Sequence, residues 1–201
     1  MQSSNIKNSY KYYRLNIKVK FIFKLTYKFK KMKKNVLITG GNRSGKSEFA
    51  ESMALKISDK PSYIFTGLNL DLEMNERIIK HKKRRKDKWN EFESYLNLVD
   101  VINQTDNKNG SPRLVDCLTM WINNLIFEKL NVEQEIDKLV KCIKVQKSPL
   151  IMVTNELGLG VIPDNKLSRN FLDINGDLNK MIANIADEVY VVISGIQLKI
   201  K

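Results

Sequence analysis

Residues 35–47 read NVLITGGNRSGKS, and the fold of the chain can be derived outward from this stretch. The apolar run VLIT predicts a short buried strand, and apolar residues recur at helical spacing after Ser47. Between these elements, Gly40, Gly45, Lys46 and Ser47 match G-x-x-x-x-G-K-[ST]. This motif binds phosphate when a strand precedes it and a helix follows it, so we predict a nucleoside triphosphate site here.

The residue types in the motif suit a phosphate cradle. Glycines let the backbone curl so that several N–H groups point inward, and the helix N-terminus adds partial positive charge. Lys46 is expected to reach the β- and γ-phosphates as a catalytic cation, and Ser47 to ligate Mg²⁺. The alternative is a tight strand-to-helix turn with an incidental lysine. The residues predicted to bind the nucleotide are Gly40, Gly41, Asn42, Arg43, Ser44, Gly45, Lys46 and Ser47.

Strands and helices alternate along the rest of the chain. Helical periods fall at 46–58, 71–85, 119–130, 133–145 and 165–186, with Gly176 as a candidate break in the last. Extended runs fall at 63–66, 89–93, 113–118, 150–154 and 188–194, followed by a short edge strand at 197–200. This alternation is typical of a mainly parallel sheet with helices on both faces. We predict one α/β domain of the P-loop NTPase type (RecA-like), spanning residues 32–201.

The net charge of +13 is concentrated at the N-terminus. Residues 1–34 contain ten Lys, one Arg and no acidic residue, which leaves +2 for residues 35–201. A strongly basic chain suggests nucleic acid or an anionic membrane as partner. The body of the chain is almost neutral, so we expect no nucleic-acid binding. No apolar run approaches the about 18 residues of a membrane span, so we expect no stable membrane insertion.

Residues 1–31 form a basic N-terminal extension that has three competing interpretations. It is a disordered basic tail, a membrane-surface or targeting arm, or the product of an upstream start codon. The sequence KKNVLITGG directly after Met32 favours the last of these.

The chain contains two cysteines, Cys117 and Cys142, and neither has the spacing of a metal ligand. Without a signal peptide, we expect both to be free buried thiols in a reducing cytoplasm.

Asp116 ends the apolar run RLVD. The carboxyl ends of parallel strands face the ligand crevice of an α/β sheet, and P-loop proteins place there an acid that helps to hold Mg²⁺. The alternative is a cap for the helix at 119–130, and a cap and a metal contact are compatible. We predict that Asp116 and Ser47 are the metal ligands.

His81 is the only histidine, and a run of cations follows it: Lys82, Lys83, Arg84 and Arg85. Neutral imidazole is a nucleophile near pH 7, and nearby cations disfavour its protonation. It could attack the α-phosphate of a nucleotide and carry a nucleotidyl group covalently. The plainer interpretation, a surface histidine on a solvated basic helix face, stays open on the pattern alone.

Several stretches of the chain, in order, carry a family resemblance. They are GGNRSGKS (40–47), D-x-E-M-x-x-R-I-x-x-H (71–81), Trp89 with Glu93, VDCLTMWINNLI (115–126), VTNELGLGVIP (153–163), positions Asn165, Arg169, Gly176 and Asn179, and ADEVYVVISGIQLKIK (186–201). Together they resemble the bifunctional adenosylcobinamide kinase / adenosylcobinamide-phosphate guanylyltransferases of cobalamin biosynthesis. The resemblance covers about residues 35–201, and residues 1–31 have no counterpart.

The resemblance implies two reactions. ATP or GTP phosphorylates the aminopropanol hydroxyl of adenosylcobinamide, and GMP is then transferred from GTP to that phosphate with release of pyrophosphate. The second reaction passes through a guanylylated histidine, and His81 is the matching position.

The resemblance also implies further site residues and an assembly. Phe65, Thr66 and Gly67, together with Lys82, Lys83, Arg84 and Arg85, would line the GTP site. Glu93 and Asp116 would contact nucleotide or metal. The segment Thr154–Glu156 matches a family motif whose role the sequence does not assign; loop hydrogen bonding is the plain interpretation. A homotrimer is implied by the family alone.

Two departures from the family pattern stand out. Some relatives have paired histidines where this chain has Lys80 and His81, and residues 82–86 (KKRRK) are unusually basic. Two alternatives stay open: a member with only one of the two activities, and a basic P-loop module that binds nucleic acid or membrane through residues 1–31. The preferred kinase donor and the corrinoid-binding residues are not given by the sequence.

Overall fold

The strand that precedes the phosphate motif is an interior strand of the sheet. The computed structural model describes residues 35–68, 79, 85–106 and 110–201, all within one compact unit that spans 34–201. Strand β1 (Asn35–Gly40) pairs in parallel with β5 (Leu150–Val153) and β6 (Glu188–Ile193). A strand with neighbours on both sides and helices on both faces is apolar throughout. Accordingly, every residue of β1 after the first is buried.

The described residues form one seven-stranded sheet with the order β3-β2-β4-β5-β1-β6-β7. The remaining strands are β2 (Ser62–Phe65), β3 (Asn90–Glu93), β4 (Arg113–Asp116) and β7 (Ile196–Lys199). Only the pairing of β6 with the edge strand β7 is antiparallel. The predicted mainly parallel sheet is therefore confirmed.

Helices cover both faces of the sheet. Helix α1 (Lys46–Leu55) packs on one face, and α2 (Leu98–Thr105), α3 (Leu118–Phe127), α4 (Val132–Val145) and α5 (Lys166–Ile185) pack on the other. Successive strand side chains point to opposite faces, so Leu37 joins the core under α2–α5 whereas Ile38 joins the core under α1. No helix among the described residues is long and apolar enough to cross a bilayer.

The predicted element boundaries differ from the observed ones by at most three residues. The one internal break predicted within a helix is wrong, because α5 is continuous through Gly176. That glycine lies on the exposed side of α5, between the buried residues Asn175 and Leu178, whose packing holds the helix together. Most of the predicted helix at 71–85 lies outside the described residues.

A buried cation joins three elements at the amino edge of the sheet. Arg113, at the start of β4, is fully buried and donates through Nη1 to the carbonyl of Ile102 (2.9 Å) and through Nη2 to the carbonyl of Ser148 (2.6 Å). The Asp106 carboxylate lies 3.4 Å from Nη2 and accepts hydrogen bonds from the backbone N–H groups of Lys147 and Ser148. The pair therefore ties β4 to α2 and to the segment that enters β5.

The ion pair between Asp106 and Arg113 is expected to make the stability of the fold sensitive to acid. Desolvation raises the pKa of Asp106, but the two backbone hydrogen bonds and the charge of Arg113 outweigh it, so the pKa lies below its usual value. A depressed pKa stabilises the fold above the pKa of the unfolded chain, and this contribution is lost as the pH falls through the folded-state pKa.

We expect Asp106→Asn to lower the free energy of unfolding at pH 7 by about 1–2 kcal/mol, as measured by urea titration. The loss should shrink at an acidic pH below the lowered folded-state pKa, where the wild-type carboxylate also becomes protonated. Asp173→Asn, at an exposed position of α5, is the control. A loss that is the same at both pH values would contradict this account.

Candidate active site at the carboxyl edge of the sheet

The predicted site residues that the structure describes gather at one edge of the sheet. Parallel register sets Phe65 opposite both Glu93 and Asp116, and Asp116 opposite Val153. Val153 is in turn opposite Ile38, two residues before the phosphate loop. Strands β1 to β5 therefore end side by side around the loop, as the sequence predicted for a ligand crevice.

The loop at 40–47 has the tight geometry expected of a phosphate cradle. Gly40 has φ +148°, and a Cβ atom there would lie 2.3 Å from the carbonyl oxygen of Val192 in β6, so only glycine fits. Gly45 has φ +95° and precedes the first turn of α1. The N–H of Gly195, in the turn between β6 and β7, donates to the carbonyl of Ser44 at 3.0 Å. The loop is thus shaped by β6 and by the turn that follows it.

The Lys46 side chain folds back over this loop. Its Nζ donates to the carbonyl oxygen of Gly41 at 2.6 Å, and the residue is buried. Burial lowers the pKa of Lys46, against the opposing effects of the nearby Cys117 and Asp116. An anionic ligand in the loop would compensate this buried charge better than one carbonyl does.

The other residues of the loop differ in their exposure to solvent. Gly41, Asn42 and Arg43 are exposed, and Ser47, in the first turn of α1, is half-buried. The hydroxyl of the buried Ser44 has no hydrogen-bond partner among the described residues. The loop therefore presents backbone and side-chain groups that a ligand can satisfy.

Asp116 is held by a residue that the sequence did not single out. The hydroxyl of the buried Tyr63 in β2 donates to Asp116 Oδ2 at 2.8 Å. Burial and the neighbouring Asp116 raise the pKa of Tyr63 well above its usual value, so the phenol stays a neutral donor. The arrangement fixes one carboxylate oxygen of Asp116 beside the phosphate loop.

Arg85 stacks beneath Tyr63. Its guanidinium carbon lies 3.8 Å from the Tyr63 ring centroid, and its Nε forms a 2.7 Å ion pair with Glu91 Oε1. The side chain is 2% exposed, and Nη1 has no hydrogen-bond partner among the described residues. Arg85 is therefore not on a solvated helix face, the alternative for the basic run. His81, Lys82, Lys83 and Arg84 lie outside the described residues.

The strand ends beside Asp116 are also fixed. Thr66 is fully buried; its hydroxyl donates to the carbonyl of Cys117 at 2.7 Å and accepts from the Cys117 N–H at 2.8 Å. Phe65 is half-buried against Gly67. Glu93 is exposed, and its Oε2 accepts a 2.7 Å hydrogen bond from Tyr95. Thr66 thus has a structural contact in addition to the role predicted for it.

Both cysteines are free, as predicted. Cys117 lies next to Asp116, but desolvation and that carboxylate raise its pKa to about 12. A thiol is nucleophilic only as the thiolate. Cys117 is therefore unsuited to covalent chemistry at neutral pH despite its position at the site.

A buried network of hydrogen bonds fixes Thr154 and Asn155, the two residues that follow β5. The Asn155 N–H donates to Thr119 Oγ1 at 2.8 Å, and the Asn155 carbonyl accepts from the side-chain amides of Asn175 (2.9 Å) and Asn179 (3.0 Å). Thr154 donates to Asn179 at 2.7 Å, and Thr119 donates to Asn175 at 3.0 Å. The sequence signal for this network is that both asparagines lie on the apolar face of α5, near Leu178 and Ile182; only Asn179 was noted above, as part of the family resemblance.

The oxygen donors at this edge suit Mg²⁺ bound together with a nucleotide. Mg²⁺ prefers oxygen ligands and is usually held by one or two carboxylates or hydroxyls plus substrate phosphates. Asp116 and Ser47 supply such oxygens. Among the described residues, no group of three His, Cys, Asp or Glu side chains could hold a metal by itself. The ion would therefore depend on the phosphates for its remaining ligands.

A family model described as cobinamide kinase / cobinamide phosphate guanyltransferase matches residues 36–200. This chain belongs to that family. The bifunctional adenosylcobalamin biosynthesis protein CobU of Escherichia coli (strain K12) is 35% identical over 181 residues, covering 83% of this chain and 99% of that protein. CobU of Salmonella typhimurium is 37% identical over 183 residues, with the same coverage. The predicted kinase and guanylyltransferase family is confirmed.

Solved structures agree with the fold of this cobinamide kinase / guanyltransferase family member. An ATPase from the type III secretion system of pathogenic bacteria has a TM-score of 0.50 and 12% identity, and the match covers 79% of this chain and 50% of that one. At this identity the likeness shows the fold alone. It is consistent with the predicted P-loop NTPase architecture.

Proposed function

We propose that this enzyme phosphorylates adenosylcobinamide with ATP or GTP and then transfers GMP from GTP to the new phosphate, through a guanylylated His81. The observation that carries the proposal is the family match over residues 36–200, which spans a phosphate loop with Asp116 beside it. Residues 32–201 would form the catalytic domain.

The phosphate loop would serve both reactions. Backbone N–H groups of residues 40–47 would bind the triphosphate, and Lys46 would turn from the Gly41 carbonyl towards the β- and γ-phosphates. Asp116 and Ser47 would hold Mg²⁺, which neutralises phosphate charge when bound. Glu93 and residues 65–67 would flank the nucleotide from the ends of β3 and β2.

His81 would carry the guanylyl group. Its imidazole nitrogen attacks the α-phosphorus of GTP, an N–P bond forms, and pyrophosphate leaves. A phosphate oxygen of adenosylcobinamide phosphate then attacks the same phosphorus, and the N–P bond breaks to give adenosylcobinamide-GDP. Arg85, four residues after His81 in the sequence, supports this proposal because its guanidinium is fixed beneath the Tyr63 ring, whose hydroxyl contacts Asp116.

The test supplies purified enzyme with adenosylcobinamide, ATP labelled at the γ-phosphate and GTP labelled at the α-phosphate. The proposal predicts transfer of the first label to the corrinoid, and of the second to protein and then to the corrinoid phosphate. Absence of corrinoid phosphorylation would leave a guanylyltransferase-only member, and absence of protein labelling would remove the guanylyl-histidine. If residues 1–31 make the chain a nucleic-acid or membrane module, a chain that begins at Met32 should lose that binding and keep nucleotide chemistry. Tight, steeply salt-dependent DNA binding by residues 32–201 would contradict the charge argument.

The predicted homotrimer stays a prediction. An exposed apolar stripe on β7 and its flanks is compatible with contact between copies; it comprises Ile193, Ile196, Leu198 and Ile200. Sedimentation equilibrium would measure the assembly state.

Tyr63→Phe should weaken the metal dependence of this enzyme without unfolding it. The substitution removes only the hydroxyl that donates to Asp116, and outer-shell partners of a metal ligand typically contribute 10–100-fold to metal affinity. We expect the Mg²⁺ concentration for half-maximal kinase activity to rise about 10-fold. Binding of Mn²⁺ with nucleotide, followed by electron paramagnetic resonance, should weaken in parallel.

Tyr190→Phe is the matched control, since the Tyr190 hydroxyl also donates to a carboxylate, Glu188 Oε2 at 3.0 Å, at the opposite edge of the sheet. An unchanged Mg²⁺ requirement in Tyr63→Phe would rule out this role for the phenol.

A further inference from the structure

The segment that follows β5, residues 154–156, is hydrogen-bonded on one side to a buried network and on the other side to the phosphate loop. Its buried side is the network in which Thr119, Asn175 and Asn179 hold both backbone polar groups of Asn155. On the loop side, the N–H of Glu156 donates to the carbonyl of Gly40 at 2.9 Å. Because this backbone is fixed, the side chain of Glu156 would keep one position relative to a phosphate bound in the loop.

The carboxylate so positioned is that of Glu156. It is half-buried, and its Oε1 accepts a 3.1 Å hydrogen bond from the N–H of Gly158, a local bond that orients the group. Oε2 has no hydrogen-bond partner among the described residues. Glu156 therefore has one carboxylate oxygen that no described residue engages, on a residue whose backbone is hydrogen-bonded to the first residue of the loop.

The carboxylates at the ends of β4 and β5, Asp116 and Glu156, differ in their surroundings. Asp116 accepts the Tyr63 hydroxyl and interacts electrostatically with Lys46, contacts that suit a metal ligand. Glu156 follows β5, the strand between β1 and β4, and has no cation among its hydrogen-bond partners in the described residues. A proton acceptor needs a free oxygen and no permanent counter-ion, and Glu156 meets both conditions.

We propose that Glu156 is the general base of the kinase reaction, an inference that rests on the proposed function. The hydroxyl oxygen of the acceptor forms a bond to the γ-phosphorus, and its proton passes to Glu156 Oε2. The bond between the γ-phosphorus and the β,γ-bridging oxygen breaks, and the nucleoside diphosphate leaves. Glu156 then returns the proton to solvent. Guanylyl transfer needs no such base, because its acceptor is an already ionised phosphate.

The test separates the two reactions in one variant. Glu156→Gln keeps the shape of the side chain and removes its ability to accept a proton. We expect kcat for phosphorylation of adenosylcobinamide to fall about 100-fold or more, with the KM for ATP within about 3-fold of wild type. Transfer of GMP from GTP to separately prepared adenosylcobinamide phosphate should also stay within about 3-fold.

Two further variants complete the experiment. Glu128→Gln changes an exposed carboxylate just after the far end of α3 and should leave both reactions unchanged. Glu156→Asp keeps a carboxylate one methylene shorter and should recover part of the kinase activity. Its residual rate should still fall at acidic pH, whereas the residual rate of Glu156→Gln should lose that dependence.

Each outcome decides the matter. A kinase rate in Glu156→Gln within 3-fold of an active wild type overturns the inference and leaves the proposed function standing. An equal loss of both reactions, or no recovery in Glu156→Asp, assigns Glu156 a structural role and also overturns it. A wild-type enzyme that does not phosphorylate adenosylcobinamide overturns the inference together with the kinase half of the proposed function.

Discussion

Lys46→Met is expected to abolish both reactions, with kcat/KM for kinase and guanylyl transfer falling about 100- to 1,000-fold. In the proposed mechanism both reactions place negative charge on phosphate oxygens above the same loop, and Lys46 Nζ lies over that loop, hydrogen-bonded to the Gly41 carbonyl. Nucleotide affinity, measured by calorimetry with GTP, should fall with the rates. The variant thus tests whether one loop serves two chemistries.

Folding should not suffer in the same variant. The pKa of Lys46 is lowered by burial, which means that the folded protein disfavours its charge. A methionine of similar length removes that desolvation, so the urea midpoint should be unchanged or higher. Lys56→Met, at an exposed position just after α1, is the control for loss of a positive charge. Retention of either reaction within 3-fold in Lys46→Met would refute a shared loop.

His81→Ala is expected to remove guanylyl transfer and spare phosphorylation. Wild-type enzyme incubated with α-labelled GTP should give an acid-labile, base-stable protein adduct, the behaviour of a P–N bond. The adduct should be absent from His81→Ala, and GMP transfer should fall at least about 1,000-fold, because loss of a covalent nucleophile leaves only binding and electrostatic stabilisation. The kinase rate should stay within about 3-fold of wild type.

Lys80→Ala is the matched control for that experiment. It removes the neighbouring residue at the position where some relatives have a second histidine, and it should keep the adduct. A labelled adduct that persists in His81→Ala would assign the nucleophile to another residue.

The phosphate loop and the fold class follow from short-range patterns in the sequence. The strand, the glycine spacing and the following helix all lie within about 20 residues, and local steric rules determine them. Strand order and register depend on contacts between distant segments, so the sequence did not reveal that Val192 forms a wall for Gly40. The alternation of helices and strands nevertheless limited the possible sheets to a few.

The parts of the site that the sequence missed are those made by side chains acting across strands. Tyr63 reads as an ordinary apolar residue of β2, and only the register with β4 brings its hydroxyl to Asp116. Arg85 reads as one cation in a basic run, whereas the structure buries it on the ring of Tyr63. Hydrogen-bond partners separated by more than 20 residues leave no periodic signal.

The contacts of the phosphate loop with β5, β6 and the turn after β6 have a consequence for how this chain acquires its binding site on the ribosome. The loop is translated early, yet its strand needs β5 and β6 as neighbours, and its Ser44 carbonyl needs the N–H of Gly195. About 150 further residues must be synthesised first, which takes roughly 8–30 s at about 5–20 residues per second. Nucleotide therefore cannot template the loop while β5, β6 and the turn after β6 are still untranslated, so the loop becomes functional long after it is made.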